Sequence, residues 1–339
     1  MAGAEHPRGR DVCANQRSSD QRLAGGRLVG AGTGGARADV LGDERNRDRT
    51  CSDRTYRGGA VLKESVLGFS CEGEALIGIV AEPDGVAADV GVVIIVGGPQ
   101  YRAGSHRQFT LLARHLAGNG FVTLRFDYRG MGDSPGEARD FLGVDADIAA
   151  AIEALLAARP ALKRVVLWGL CDAASAALLY LNSTHDPRVA GLALANPWVR
   201  SAASLAQTHI KHYYGRRLLQ REFWLKLLRG GVGLDALKGL LGNVRASRAA
   251  GPSAPSSYQE RMACGWRSLQ GPLLLVLSGD DYTAKEFVGH AASASQWQGL
   301  TAEERVSRVE IPGADHTFSD LRDSNQVQAR TLTWLRSIA

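Results

Sequence analysis

No C-x-x-C pair occurs among the five cysteines (Cys13, Cys51, Cys71, Cys171 and Cys264), and no histidine–cysteine spacing of zinc-ligand type accompanies them. A zinc module and a disulfide framework are therefore not expected. An odd, scattered set suits a reducing compartment, with reduced thiols or one reactive thiol. Aromatic residues are scarce, at 6%, and no basic stretch is interleaved with them, so no nucleic-acid partner is expected. The net charge of +5 does not alter this. Residues 1–60 hold 11 Arg and 8 acidic residues, so +3 of the +5 sits there and the rest is close to neutral. The longest apolar runs, such as residues 92–96 and 273–277, are far too short to span a bilayer. No apolar signal core stands at the N-terminus, so the expectation is a cytoplasmic protein with no stable membrane insertion.

What is present is ordinary for a globular chain: 45% hydrophobic and 22% charged residues over 339 positions, enough for one large α/β domain or two smaller ones. Residues 1–60, rich in Gly, Arg, Asp and Ser with Tyr56 as their one aromatic, cannot bury enough apolar area to offset ordering and are expected to be disordered. A coding start misplaced upstream of a true one near Val61 would also give such a stretch. The Gly30–Gly35 cluster follows no convincing strand and is not expected to bind a dinucleotide.

Residues 61–339 read as one domain. Apolar segments at 64–70 and 75–81 flank Cys71-Glu72-Gly73-Glu74 and predict a hairpin, with Cys71 a strand residue. Buried strands are expected at 90–96, 121–126, 165–168, 189–195, 273–277 and 306–311. Helices are expected at 107–118, 145–158 and 325–338, the second ended by Pro160. This alternation predicts a mainly parallel sheet covered by helices on both faces. Residues 198–269 carry no strand signal and are expected to form a helical lid, which would exclude water from a site beneath it. His209 and His212 stand i, i+3 there, without a third ligand nearby, so no metal is expected.

The chain centres on RVVLWGLCDAASAALLY, from Arg164 to Tyr180. A buried strand passes within a few residues into a helix of small residues, the context that a nucleophile elbow requires. The elbow pattern G-x-S-x-G stands here as Gly169-Leu170-Cys171-Asp172-Ala173, with cysteine in the place of serine and alanine in that of the last glycine. Chemistry in an open parallel sheet collects at the carboxyl ends of the strands. Those ends carry, in order, Gly97-Gly98, Cys171, Asp280/Asp281 and His316.

Nucleophile, acid, then histidine is the chain order of α/β-hydrolases, and DYRGMGDS (127–134) looks like the D-x-R-G-x-G-x-S turn of that superfamily. GGPQYRAGSHRQF, LRFDYRGMGDS, WGLCDAASAALLY, NPWVR and SGDDYTAKEF together resemble one subfamily. It is the first of the two α/β-hydrolases associated with the exosortase A system of Gram-negative bacteria, whose genes lie beside PEP-CTERM sorting and exopolysaccharide functions. The resemblance covers about residues 61–339. It implies an α/β-hydrolase fold and a functional link to that machinery, and it names no substrate.

Cys171 is the candidate nucleophile, since a thiol at a helix N-terminus beside a histidine is readily ionised. Asp172 works against this if its carboxylate points inward, or it complements the helix dipole. His316, in a Pro-Gly-Ala-Asp-His loop, is the candidate general base. The resemblance to the family's G-x-D turn favours Asp281 as the acid that orients it, with Asp280 as the alternative; Asp315 reads as a loop residue. An oxyanion hole would combine the Asp172 N–H with one from the 97–100 turn. Pro99 has no N–H, which leaves Gly98 or Gln100. Arg129 is expected to hold its turn together, and His106 and Arg107 to cap a helix near the pocket mouth. The expected activity is cofactor-independent hydrolysis of an ester or thioester through an acyl-enzyme, with a small acyl compound as substrate and chemistry similar to that of dienelactone hydrolases. The alternatives are acyl transfer to a sugar or lipid hydroxyl, or a binding protein that keeps the fold without the reaction.

Overall fold

The computed structural model describes residues 51–55, 61–200 and 256–339. Three apolar runs become strands buried at every residue: β4 (Val90–Ile95), β5 (Thr123–Asp127) and β8 (Leu273–Ser278). β6 (Arg164–Leu170) is buried from Val165 onward, and β7 (Val189–Ala195) at all but Ala190. With β1 (Cys51–Thr55), β2 (Val61–Cys71), β3 (Glu74–Pro83) and β9 (Val306–Ile311) they form one sheet in the order β1-β2-β3-β5-β4-β6-β7-β8-β9. Pairing is parallel from β5 through β4, β6, β7 and β8 to β9, and antiparallel at β2–β3 and β3–β5. The expected hairpin turns at Glu72 and Gly73, both at positive φ (48° and 90°), as a tight two-residue connection requires. The edge strand β9 exposes Ser307, Arg308 and Glu310, and such polar side chains discourage pairing with another sheet.

Helices cover both faces: α1 (Gln108–Ala117), α2 (Asp145–Ala158), α3 (Asp172–Thr184), α4 (Tyr258–Ser268), α5 (Tyr282–Ser293) and α6 (Leu321–Leu335). α1 buries Phe109, Leu112, Ala113, Leu116 and Ala117, the i, i+3, i+4, i+7, i+8 stripe of a helix laid on a core. α3 is buried from Ala173 to Leu181, and its small residues allow close approach on two sides. A Cβ at Gly169 of β6 would lie 2.6 Å from the Ala173 carbonyl oxygen, and one at Gly265 of α4 would lie 1.9 Å from the Leu178 carbonyl oxygen.

Two expectations about organisation meet observed elements. Within 1–60, Cys51–Thr55 forms the edge strand β1; residues 1–50 and 56–60 lie outside the described residues. Within the expected lid at 198–269, residues 201–255, with His209 and His212, lie outside the described residues. Tyr258–Ser268 is a core helix against α3, with Met262 and Trp266 fully buried and its start fixed by a Ser257/Glu260 capping box. Cys71 and Cys171 are free thiols, whereas Cys264 is disulfide-bonded, which departs from the expectation of reduced thiols throughout. Among the described residues no helix is long and apolar enough to cross a membrane.

Candidate active site

The register of the sheet brings the expected residues to one edge. Ile95 pairs with Gly169, Leu170 with Ala195, and Ser278 with Ile311. The segments holding Gly97, Cys171, Asn196, Asp281 and His316 therefore leave their strands at neighbouring points. β4 leads to β5 on one side and β6 leads to β7 on the other, so Gly97 and Cys171 stand at the point where the strand order reverses.

Cys171 sits between β6 and α3 at φ 62°, ψ −124°. A non-glycine residue held there is strained by about 1–3 kcal/mol, a cost seen mainly at functional sites. The surroundings enforce it: Cys171 N–H donates to the Ala195 carbonyl at 2.9 Å, and its own carbonyl accepts from Ala174 at 3.1 Å and Trp198 at 3.2 Å. The residue is partly exposed and lines a cavity of about 430 Å³ with His316, Trp198, Phe141 and Leu170 among its walls.

His316 Nδ1 lies 2.8 Å from Asp281 Oδ2. Cys171 lines the same cavity as the ring and is its second polar neighbour. These two contacts, Asp281 first, push the imidazole pKa up to about 10 against the opposing effect of burial. Asp281 is buried and caps α5, accepting from Thr283 N at 3.1 Å and Ala284 N at 3.0 Å. Burial raises its carboxyl, but His316 and the cap together hold it below the usual carboxylate range. Asp280, the alternative acid, points outward with its side chain 82% exposed and pairs with Lys285 at 3.4 Å. Asp315 caps its own loop through Thr317 N and Ser319 N, as expected of a structural residue.

The N–H groups expected to serve as oxyanion donors have acceptors within the protein. Gly98 N–H is already spent on Asp172 Oδ2 at 3.0 Å, and Gln100 N–H on the Gly98 carbonyl at 2.9 Å. The Asp172 carboxylate points inward, where burial raises its pKa and the N–H groups of Gly98, Ala173 and Asp172 itself hold it down. It occupies the cradle that an oxyanion would enter. Gly97 makes the room: a Cβ there would lie 2.2 Å from Asp172 Oδ1. Gln100 contributes its side chain instead of its amide, with Nε2 donating to the Gly97 carbonyl and Oε1 accepting from Ser105 N at 3.0 Å.

The supporting residues come from motifs and from one missed asparagine. Asp127, fully buried, accepts from Arg102 N at 2.6 Å and Asp133 N at 3.0 Å, and its carboxylate also pairs with the Arg102 guanidinium. This ties the 97–104 loop to the end of β5. Arg129 holds buried Asp147 through N, Nε and a terminal nitrogen at 2.8–2.9 Å, a scaffold role as expected. His106 and Arg107 start α1 at positive φ and do not line the cavity. Asn196, fully buried at φ 44°, donates to the His316 carbonyl at 3.0 Å and to Ser278 Oγ at 2.8 Å, and accepts from Ser278 N at 2.8 Å. It fastens the histidine loop to the end of β8; its signal was an Asn-Pro directly after a buried strand. Among the described residues no group of three or more His, Cys, Asp or Glu is placed to hold a metal.

An open, mostly parallel sheet with an elbow after β6 and a histidine after the last strand defines the α/β-hydrolase class. The family model for the alpha/beta hydrolase family matches residues 92–329, and the chain belongs to that family. Among solved structures, it is similar to the Pyrococcus furiosus esterase Pf2001 at 16% identity and TM-score 0.53, covering 81% of this chain and 92% of the esterase. The α/β hydrolase GrgF from Penicillium sp. sh18 is 17% identical with TM-score 0.54, over 81% and 98% of the two chains. A dienelactone hydrolase from Anabaena variabilis is 15% identical with TM-score 0.53, over 82% and 98%. These likenesses concern the fold. No curated protein matches the chain.

Proposed function

We propose that this chain is a cofactor-independent, cytoplasmic hydrolase of ester or thioester bonds, acting through Cys171, His316 and Asp281 by way of an acyl-enzyme. The observation that carries the reading is one imidazole bonded to a buried carboxylate and lining the same cavity as the elbow cysteine. An imidazole that stays protonated to about pH 10 is placed to give a proton to a leaving group in this cavity.

The thiolate attacks the carbonyl carbon, forming the S–C bond as the carbonyl electron pair moves to oxygen. Collapse of that intermediate breaks the bond to the leaving group, which takes the proton from His316. Acylation removes the sulfur charge that helped to hold this proton, so the ring is easier to deprotonate when the leaving group needs it. The neutral ring then takes a proton from water as the water oxygen attacks the thioester, and Cys171 Sγ departs. Asp281 keeps Nδ1 facing itself and the other ring nitrogen facing the sulfur.

Trp198, Phe141 and Leu170 give the cavity of about 430 Å³ an apolar wall suited to a small or medium acyl group. The resemblance of several sequence stretches to the exosortase A-associated hydrolases supports a place beside exopolysaccharide machinery, where a sugar or lipid hydroxyl is an alternative acceptor to water. One observation favours a second reading, a binding protein on the same fold: the carboxylate of Asp172 fills the N–H cradle.

The test is intact-mass spectrometry after brief exposure to p-nitrophenyl esters and acyl thioesters of graded chain length. A transient acyl adduct on Cys171, with turnover, is expected. Absence of any adduct and turnover across the panel selects the binding protein, and product diverted to added polyols selects acyl transfer.

A further inference from the structure

We propose that Asp172 is a two-position gate: in the resting enzyme its carboxylate plugs the oxyanion cradle, and acyl transfer requires it to swing into the neighbouring cavity beside Arg139. This rests on Cys171 being the nucleophile. Four observations meet here. Gly98 N–H is bound by Asp172 Oδ2 at 3.0 Å, so the donor needed by a tetrahedral intermediate is taken. Asp172 Oδ1 is buried and makes no hydrogen bond. Asp172 lines both the cavity of Cys171 and a second one of about 540 Å³, which has Tyr128 and Arg139 in its wall. Arg139 Nε is buried with no hydrogen-bond partner, and Arg139 has no ion pair among the described residues.

A carboxylate oxygen without a hydrogen bond and an Arg139 Nε without one, on two residues that line the same cavity of about 540 Å³, mark the start and the end of the movement. A buried polar atom without a partner is costly, so the rotation that frees Gly98 N–H also offers the Arg139 Nε an acceptor. The consequence is selectivity. Substrates whose binding drives the displacement will be acylated quickly, while generic small esters will meet a closed cradle.

Two probes separate the cradle from the thiol. Iodoacetamide alkylates Cys171 by displacing iodide from a saturated carbon, so no oxyanion forms and the cradle is not used. Acylation by p-nitrophenyl acetate forms an oxyanion at the carbonyl and needs it. Any effect of Asp172 on the thiolate fraction enters both rates, and the ratio of acylation to alkylation reports the cradle. Both rates are read by mass spectrometry of Cys171 in the full-length protein, with circular dichroism to verify folding.

Asp172→Ala is expected to raise the ratio by roughly tenfold or more, up to the 10²–10³ that one oxyanion donor is worth. Asp172→Asn keeps the shape but loses the charge, is expected to raise it less, and carries the test if the alanine variant does not fold. Arg139→Gln removes the alternative partner and is expected to lower the ratio. A ratio that is flat or falls in the folded Asp172 variants overturns the plug, and a ratio unchanged by Arg139→Gln overturns the second position. If iodoacetamide shows no preference for Cys171 over Cys71 in the wild-type protein, the nucleophile reading itself fails. That result is distinct from a reactive Cys171 whose ratio ignores Asp172.

Discussion

Replacing Asp281 by asparagine removes one charge from the site and little else. Asparagine caps a helix about as well as aspartate, so α5 keeps its N-terminal bonds to Thr283 and Ala284 and folding is expected to survive. What is lost is the carboxylate 2.8 Å from His316 Nδ1, the largest cause of an imidazole pKa near 10. Moving an imidazole from 6.5 to about 10 corresponds to roughly 4–5 kcal/mol of preference for its charged form. The ring is 35% exposed, and solvent screening reduces what this contributes to stability to about 1–2 kcal/mol. Catalysis is expected to suffer far more, by about 10³–10⁴-fold, because the amide favours the wrong tautomer and ring orientation. The assays are turnover of the preferred ester and an NMR titration of the His316 ring, whose midpoint is expected to fall toward that of a free imidazole. Asp280→Asn, at an exposed carboxylate, is expected to change neither. If Asp280→Asn abolished turnover while Asp281→Asn kept it with an unmoved His316 midpoint, the assignment of the acid would be refuted.

Stability should follow the proton on His316. Its pKa is near 10 folded and 6.5 unfolded, so its contribution is complete below about pH 6.5 and is lost as pH rises toward 10, while that of Asp281, lowered on folding, is lost as pH falls below the usual carboxylate range; urea midpoints across pH check both limits. Cys171→Gly is expected to raise the melting temperature slightly by relieving the strain at φ 62°, about 1 kcal/mol, while eliminating acyl adducts. Arg129→Met leaves the fully buried Asp147 carboxylate without its ion pair and is expected to cost about 3–5 kcal/mol, read as a drop in the urea midpoint.

The scaffold was readable because buried strands and their helices are written in periodicity and in small residues. The bounds of α2, β7 and β9 coincide with those expected from apolar spacing alone. That Cys171 and His316 meet at one cavity was readable because each occupies a fixed place after a strand. The choice between Asp280 and Asp281 was open in sequence, since adjacent aspartates in one turn share every local signal. Burial separates them: the residue that caps α5 faces inward, and its neighbour must face out. α4 was misjudged for a related reason. Its close contact depends on Gly265 lying against the Leu178 carbonyl, a tertiary fit that loose Gly-, Ser- and Ala-rich composition disguises.

The oxyanion cradle was the least legible part, because its donors are backbone N–H groups that every residue but proline supplies. Whether such a donor is available depends on which side chain reaches it first. Here the deciding pair is Gly97 and Asp172, 75 positions apart: without a Cβ at Gly97, the carboxylate fits where an oxyanion would go. On the proposed reading, the residues that weaken the sequence match to G-x-S-x-G, a cysteine followed by an aspartate, supply both the nucleophile and the obstacle to it. A thiolate bonded to an imidazolium is reactive without substrate, unlike a serine hydroxyl, which needs its base at the moment of attack. On the proposed gate, the Asp172 carboxylate withholds the Gly98 N–H from a tetrahedral intermediate until an acyl group displaces it.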